Sequence, residues 1–168
     1  MNKKVLLPIL AMLVALVLLS ACGYNGNSVD NTGKDGTGAE TGNEQADGDM
    51  EILITVNKTV FSACLYDNAS ARKLYGMLPL KLSMSAMAHE KYYNFADTFP
   101  MNSSRVDRIE AGDIMLWGDN CLVIFYEGFS TSYSYTRLGK IQNTAGLANT
   151  LGSGSVKLTI SAAENTNN

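Results

Sequence analysis

Between residues 24 and 49 the chain carries no leucine, isoleucine or phenylalanine, and Val29 is the one β-branched aliphatic side chain there. Glycine, asparagine, threonine and acidic residues fill the stretch. So little apolar surface cannot offset the entropy of ordering a backbone, so the segment is expected to be disordered. It holds six acids (Asp30, Asp35, Glu40, Glu44, Asp47, Asp49) against Lys34. Those charges are dispersed among glycines, which suits a tether better than an acidic binding tail. As a flexible coil it would span roughly 25–30 Å. Folding is thereby confined to residues 50–162, a length that suits one domain with one core.

Ahead of the tether lies a leader. Lys3 and Lys4 give a positive start, residues 5–19 are apolar apart from Pro8, and Ser20 and Ala21 are small. This order is that of an export signal. The apolar run falls short of the ~20 residues of a spanning helix. Leu19-Ser20-Ala21-Cys22 resembles the lipobox of bacterial lipoproteins. The resemblance implies cleavage before Cys22 and lipid on its sulfur and new amino group; a spanning anchor or a cleaved signal with a soluble product are the alternatives. The expected organisation is a lipoprotein signal peptide at 1–21, a lipidated Cys22 with a tether to residue 49, a domain at 50–162 and a disordered tail at 163–168. The expected location is extracytoplasmic, with the chain lipid-anchored to the bacterial cell membrane.

Residues 50–162 carry ten Lys or Arg and nine Asp or Glu, so the domain is near neutral. No basic stripe is present, which argues against a nucleic-acid partner. The pattern is mainly β. Residues 51–56 alternate Ile52, Ile54 and Val56 on one face, Asn57-Lys58 turns, and 59–66 completes a hairpin. Asp67 or Asn68 can cap a short helix over 69–77, which Pro79 stops, with Leu74, Met77 and Leu78 toward the core. Residues 80–87 alternate again. Tyr92, Tyr93 and Phe95 suit a strand, 100–109 reads as a loop, and 114–117 is a strand followed by a turn at 118–120. Residues 121–126 form an unbroken apolar run, as in a strand covered on both faces. Residues 138–141 and 155–161 read as strands, with a second short helix over 143–151 that Gly152 ends. Eight strands and two short helices favour a barrel or a sandwich.

Several segments, in order, resemble the bacterial cyclophilin-like domain family: residues 59–68 (TVFSACLYDN), 77–80 (MLPL), 90–93 (EKYY), 112–121 (GDIMLWGDNC) and 129–141 (FSTSYSYTRLGKI). The resemblance implies a closed eight-stranded barrel of cyclophilin type with two short helices. True cyclophilins are peptidyl-prolyl isomerases in which a strand arginine beside a phenylalanine stabilises the twisted amide. The Phe-His-Arg core of that strand is missing here. Tyr92-Tyr93-Asn94-Phe95 has the aromatic residues without an arginine, Arg105 and Arg108 fall in the expected loop, and Arg137 belongs to another segment. Some relatives of this kind accompany flavodoxin-like domains, which adds a redox-linked accessory role as a further alternative.

Residue chemistry narrows the choices. His89 is the one histidine, and its neighbour Glu90 would point to the opposite face of a strand, which favours a surface histidine over a general base. One histidine, and no cysteine pair at ligand spacing, offers no metal site. Cys64 and Cys121 fall in two expected strands, either as buried free thiols or as a pair if their Cα atoms come within ~7 Å. No nucleophile elbow or phosphate loop occurs, so no catalytic residue and no cofactor is assigned. The segment from Phe129 to Arg137 interleaves Phe129, Tyr133 and Tyr135 with serines and threonines. Tyrosines with apolar bodies and polar tips suit a contact surface, and Arg137 suits a carboxylate or a ring face. Tyr92 and Trp117 are expected to complete a groove, the alternative being aromatic packing at the barrel ends. The expected role is non-catalytic binding of a peptide or small ligand, with prolyl isomerisation as the enzymatic alternative.

Overall fold

The computed structural model describes residues 50–164. The expected signal peptide, Cys22 and tether lie outside the described residues.

The hairpin opens the fold. Strand β1 (Glu51–Val56) buries Ile52, Ile54 and Val56 on one face and turns at Asn57, whose φ of 54° suits asparagine. It pairs with β2 (Thr59–Leu65). Helix α1 (Ala69–Gly76) follows. Its cap Asn68 accepts the Ala71 N–H through Oδ1 at 2.9 Å and donates from Nδ2 to the Arg137 carbonyl at 2.9 Å. One side chain therefore starts the helix and ties it to a distant strand. Strands β3 (Leu80–Met87) and β4 (Glu90–Asn94) form the next hairpin across Ala88-His89.

Residues 100–109 depart from the expected loop. They contain the two-residue strands β5 (Ser104–Arg105) and β6 (Arg108–Ile109), too short to show any periodicity. Strands β7 (Asp113–Trp117) and β8 (Cys121–Phe125) are a tight hairpin. Then come β9 (Phe129–Ser130), paired with β6, and β10 (Ser134–Ile141), which starts four residues before the expected strand. Helix α2 (Leu147–Leu151) is shorter than expected, because Gly146 at φ 76° breaks the preceding turn, and Gly152 at φ 64° ends it. Strand β11 (Val156–Ala162) runs back between β1 and β3.

The main sheet runs β2-β1-β11-β3-β4-β8-β7-β10, antiparallel throughout, and β10 pairs back onto β2. This is the closed eight-stranded barrel with two short helices, and its strands are the eight expected from periodicity. The interior holds Ile52, Ile54, Leu82, Met84, Leu122, Ile124, Leu158 and Ile160, with Leu74 of α1 and Leu151 of α2 in the same cluster. Closure leaves no unpaired edge among these eight strands.

A second apolar cluster sits on the outside of the wall. Val106, Ile109, Met115, Cys121, Val123, Phe125 and Tyr135 pack there, with Tyr92 and Phe129 half-buried against them. The chain between β4 and β7 and between β8 and β10 folds back over the outer faces of β7, β8 and β10. All five residues of β8 are consequently buried, as its unbroken apolar run requires. Cys121 is a buried free thiol, so the two strand cysteines do not pair with each other. Half-buried Cys64 has Gln142 Nε2 at 2.8 Å from its sulfur.

Candidate functional site in the outer wall of the barrel

Strand register decides which side chains share the outer face. On β4, Glu90 lies opposite Phe125, Tyr92 opposite Val123 and Asn94 opposite Cys121. On β7, Met115 lies opposite Val123 and Trp117 opposite Cys121. Because side chains alternate along a strand, Glu90, Tyr92 and Asn94 point outward while Lys91 and Tyr93 point into the barrel. The outward set forms the floor of a cavity of about 410 Å³, within the size range of small-molecule sites. Met87, Ala88 and His89 of the β3–β4 hairpin wall one end, Trp117 another, and Phe129, Tyr133 and Tyr135 descend from the covering segment.

Five of the six side chains expected to make a groove line this cavity: Tyr92, Trp117, Phe129, Tyr133 and Tyr135. They come from β4, β7, β9, the loop before β10, and β10 itself. Arg137 is two residues beyond Tyr135 and outside the lining. It lies opposite Met115, and with Lys140 and Arg108 it helps hold the Glu110 carboxyl below the usual range, Lys140 contributing most. Tyr135 is buried and stacks edge-on against Phe125 at 5.6 Å, while Tyr133 is 64% exposed and forms the rim.

Residue patterning missed the carboxylate. Glu90 belongs to the lining, and burial among apolar groups pushes its carboxyl above the usual range, opposed by the nearby His89. Its charge acts in turn on the thiol of Cys121 and the phenol of Tyr135, both pushed up mainly by their own burial. The alternation of Glu90, Tyr92 and Asn94 carried the signal once 90–94 is taken as one strand. His89 is an exposed hairpin residue, as expected. Its Nδ1 meets Glu127 Oε2 at 2.6 Å and its ring lies 5.3 Å from Phe129, which pins the hairpin to the covering segment. Among the described residues no group of three His, Cys, Asp or Glu side chains could hold a metal ion, and no helix is long and apolar enough to cross a membrane.

The hairpin holds local strain. Ala88 sits at φ 41°, a region where a side chain costs ~1–2 kcal/mol. Ala88→Gly is therefore expected to stabilise the chain by about 0.5–1 kcal/mol, read as a higher urea midpoint. A lower midpoint would show that the turn is not strained.

The sequence matches the Cyclophilin-like family over residues 54–161, which is most of the described chain. No curated protein sequence matches it. Among solved structures it is similar to that of McbB in complex with tryptophan, with a TM-score of 0.52 and 14% identity. That similarity covers 70% of this chain and 46% of McbB, so the chain spans about half the length of that protein. At this identity the likeness is one of fold.

Proposed function

We propose that this chain, which belongs to the cyclophilin-like family, is a binding module that takes a small ligand or short peptide segment in the cavity on the outside of its barrel. The observation that carries this reading is the lining itself. Five aromatic side chains from separate elements line, with Glu90, one partly open cavity. Apolar walls with few polar groups are the usual make-up of a ligand site.

Binding is favoured over prolyl isomerisation by the charge of that lining. In true cyclophilins the donor to the twisted amide is an arginine. The cavity is lined by Glu90 and His89 and by neither arginine nor lysine. With the full chain and a proline peptide, isomerisation is expected to stay at the uncatalysed pace of tens to hundreds of seconds. Acceleration that disappears in Arg137→Ala would instead establish the enzyme.

The module is placed at a bacterial membrane surface, held by lipid on Cys22 and lifted clear by the tether. Support comes from the charged, apolar and small-residue order that ends in Cys22. Two or more acyl chains make such anchoring stable, at about 0.8 kcal/mol per buried CH₂. Cells fed labelled palmitate are expected to label the wild-type chain and not Cys22→Ser. Equal labelling of both, or of neither, would remove the anchor from this reading.

A further inference from the structure

We infer that the ligand of this cavity is a small organic ammonium ion, its cationic head among the Tyr92, Trp117, Tyr133 and Tyr135 rings with Glu90 as counter-charge, and its apolar body along Phe129 and Val123. This rests on the binding reading above and specifies its ligand.

Three observations carry it. First, the lining includes aromatic side chains from four elements, and aromatic rings attract a cation brought over their faces. Second, Glu90 is a half-buried carboxylate that lines the cavity among apolar side chains, where burial outweighs the opposing charge of His89. The other titratable side chain at this end, His89, is engaged by Glu127. Partial burial disfavours the charged carboxylate, and a cationic ligand offsets that cost on binding. Third, no lysine or arginine lines the space, so an anionic ligand would meet repulsion from Glu90 and no compensating charge. Lys91, the nearest cation along the chain, points the other way, into the barrel end, where Gly152 and Gly154 accept its hydrogen bonds. A volume of about 410 Å³ suits a small amine better than an extended polypeptide.

The test uses three ligands of one shape. Phenethylamine, phenethyl alcohol and 3-phenylpropionate are titrated into the full chain. The readout is the fluorescence of Trp117, the only tryptophan and part of the lining. The amine is expected to bind at least about tenfold more tightly than the alcohol, with the carboxylate weakest. Glu90→Gln should weaken the amine at least about tenfold while leaving the alcohol within about twofold. Tyr133→Ala, at an exposed rim position that the fold does not need, should weaken the amine by several-fold. Equal or tighter binding of the alcohol or carboxylate overturns the ammonium inference and leaves the binding site standing. So does an amine affinity indifferent to Glu90→Gln. Silence from all three ligands overturns the inference together with the binding reading beneath it.

Discussion

Gly139→Ala is expected to cost the fold about 3 kcal/mol or more. Gly139 lies on β10 opposite Leu65 of β2, where the barrel closes. A Cβ there would stand 2.3 Å from the Cys64 carbonyl oxygen and 2.9 Å from the Leu65 Cα. Both obstacles are backbone, so no rotamer change relieves them. The ladder between β10 and β7 already shifts register between Arg137 and Gly139. That bulge bends β10 from its pairing with β7 toward its pairing with β2. The substitution must therefore push two paired strands apart at the seam, where only three residue pairs are in register. Urea unfolding of Gly139→Ala should give a midpoint far below wild type, or a chain that is unfolded at the outset. A change within about 0.5 kcal/mol, the size of an ordinary surface substitution, would mean that the seam is looser than this geometry.

Lys91→Ala is the second large expected loss, about 2–4 kcal/mol. Lys91 is fully buried, an unusual place for a lysine, and its Nζ donates to the carbonyls of Gly152 at 2.7 Å and Gly154 at 2.6 Å. It also lies 5.4 Å from the centre of the Tyr126 ring. The lysine thus plugs the barrel end where α2 stops, filling space with its methylenes and satisfying two carbonyls of the chain that follows the helix. Alanine removes both contributions and methionine only the second, so Lys91→Met should cost less than half as much. Burial lowers the pKa of this amine. The folded state therefore sheds the proton before the unfolded state does. Wild-type stability relative to Lys91→Met should rise with pH across the window from that lowered value up to 10.5 and be flat below it. A difference that falls with pH in that window would contradict the burial of the charge.

Periodicity located the strands because each barrel strand has one face in the core. Ile52, Ile54 and Val56, or Leu158 and Ile160, recur at every second position for that reason. The unbroken run Cys121–Phe125 was legible for the complementary reason, being covered by the barrel core on one side and the outer cluster on the other. Closure was not legible from spacing. It depends on residues 63–65 meeting residues 139–141, a long-range pairing that no local pattern encodes, and it followed from family resemblance alone. The start of β10 was missed because Ser134 is exposed and Tyr135 and Thr136 are buried, which breaks the alternation.

The site was half legible. Phe129, Tyr133 and Tyr135 are close in sequence and stand out among serines and threonines. Tyr92 and Trp117 joined them as aromatic residues at strand positions. Glu90, Cys121 and Val123 are ordinary strand residues until the β4–β8 register sets them side by side. Arg137 shares the segment but falls past the point where the lining ends, since the bulge begins there.

The most direct test of the outer cavity as the functional site is amide-resolved NMR of the isotope-labelled full chain against a mixture of small fragments. The perturbed amides should cluster at Glu90, Tyr92, Val123 and Tyr135, which are scattered in sequence and adjacent only across the outer wall. Fragments that perturb only the shallow depression around Lys81, Ser83, Lys157 and Thr159, or that leave every amide in place, would contradict the site.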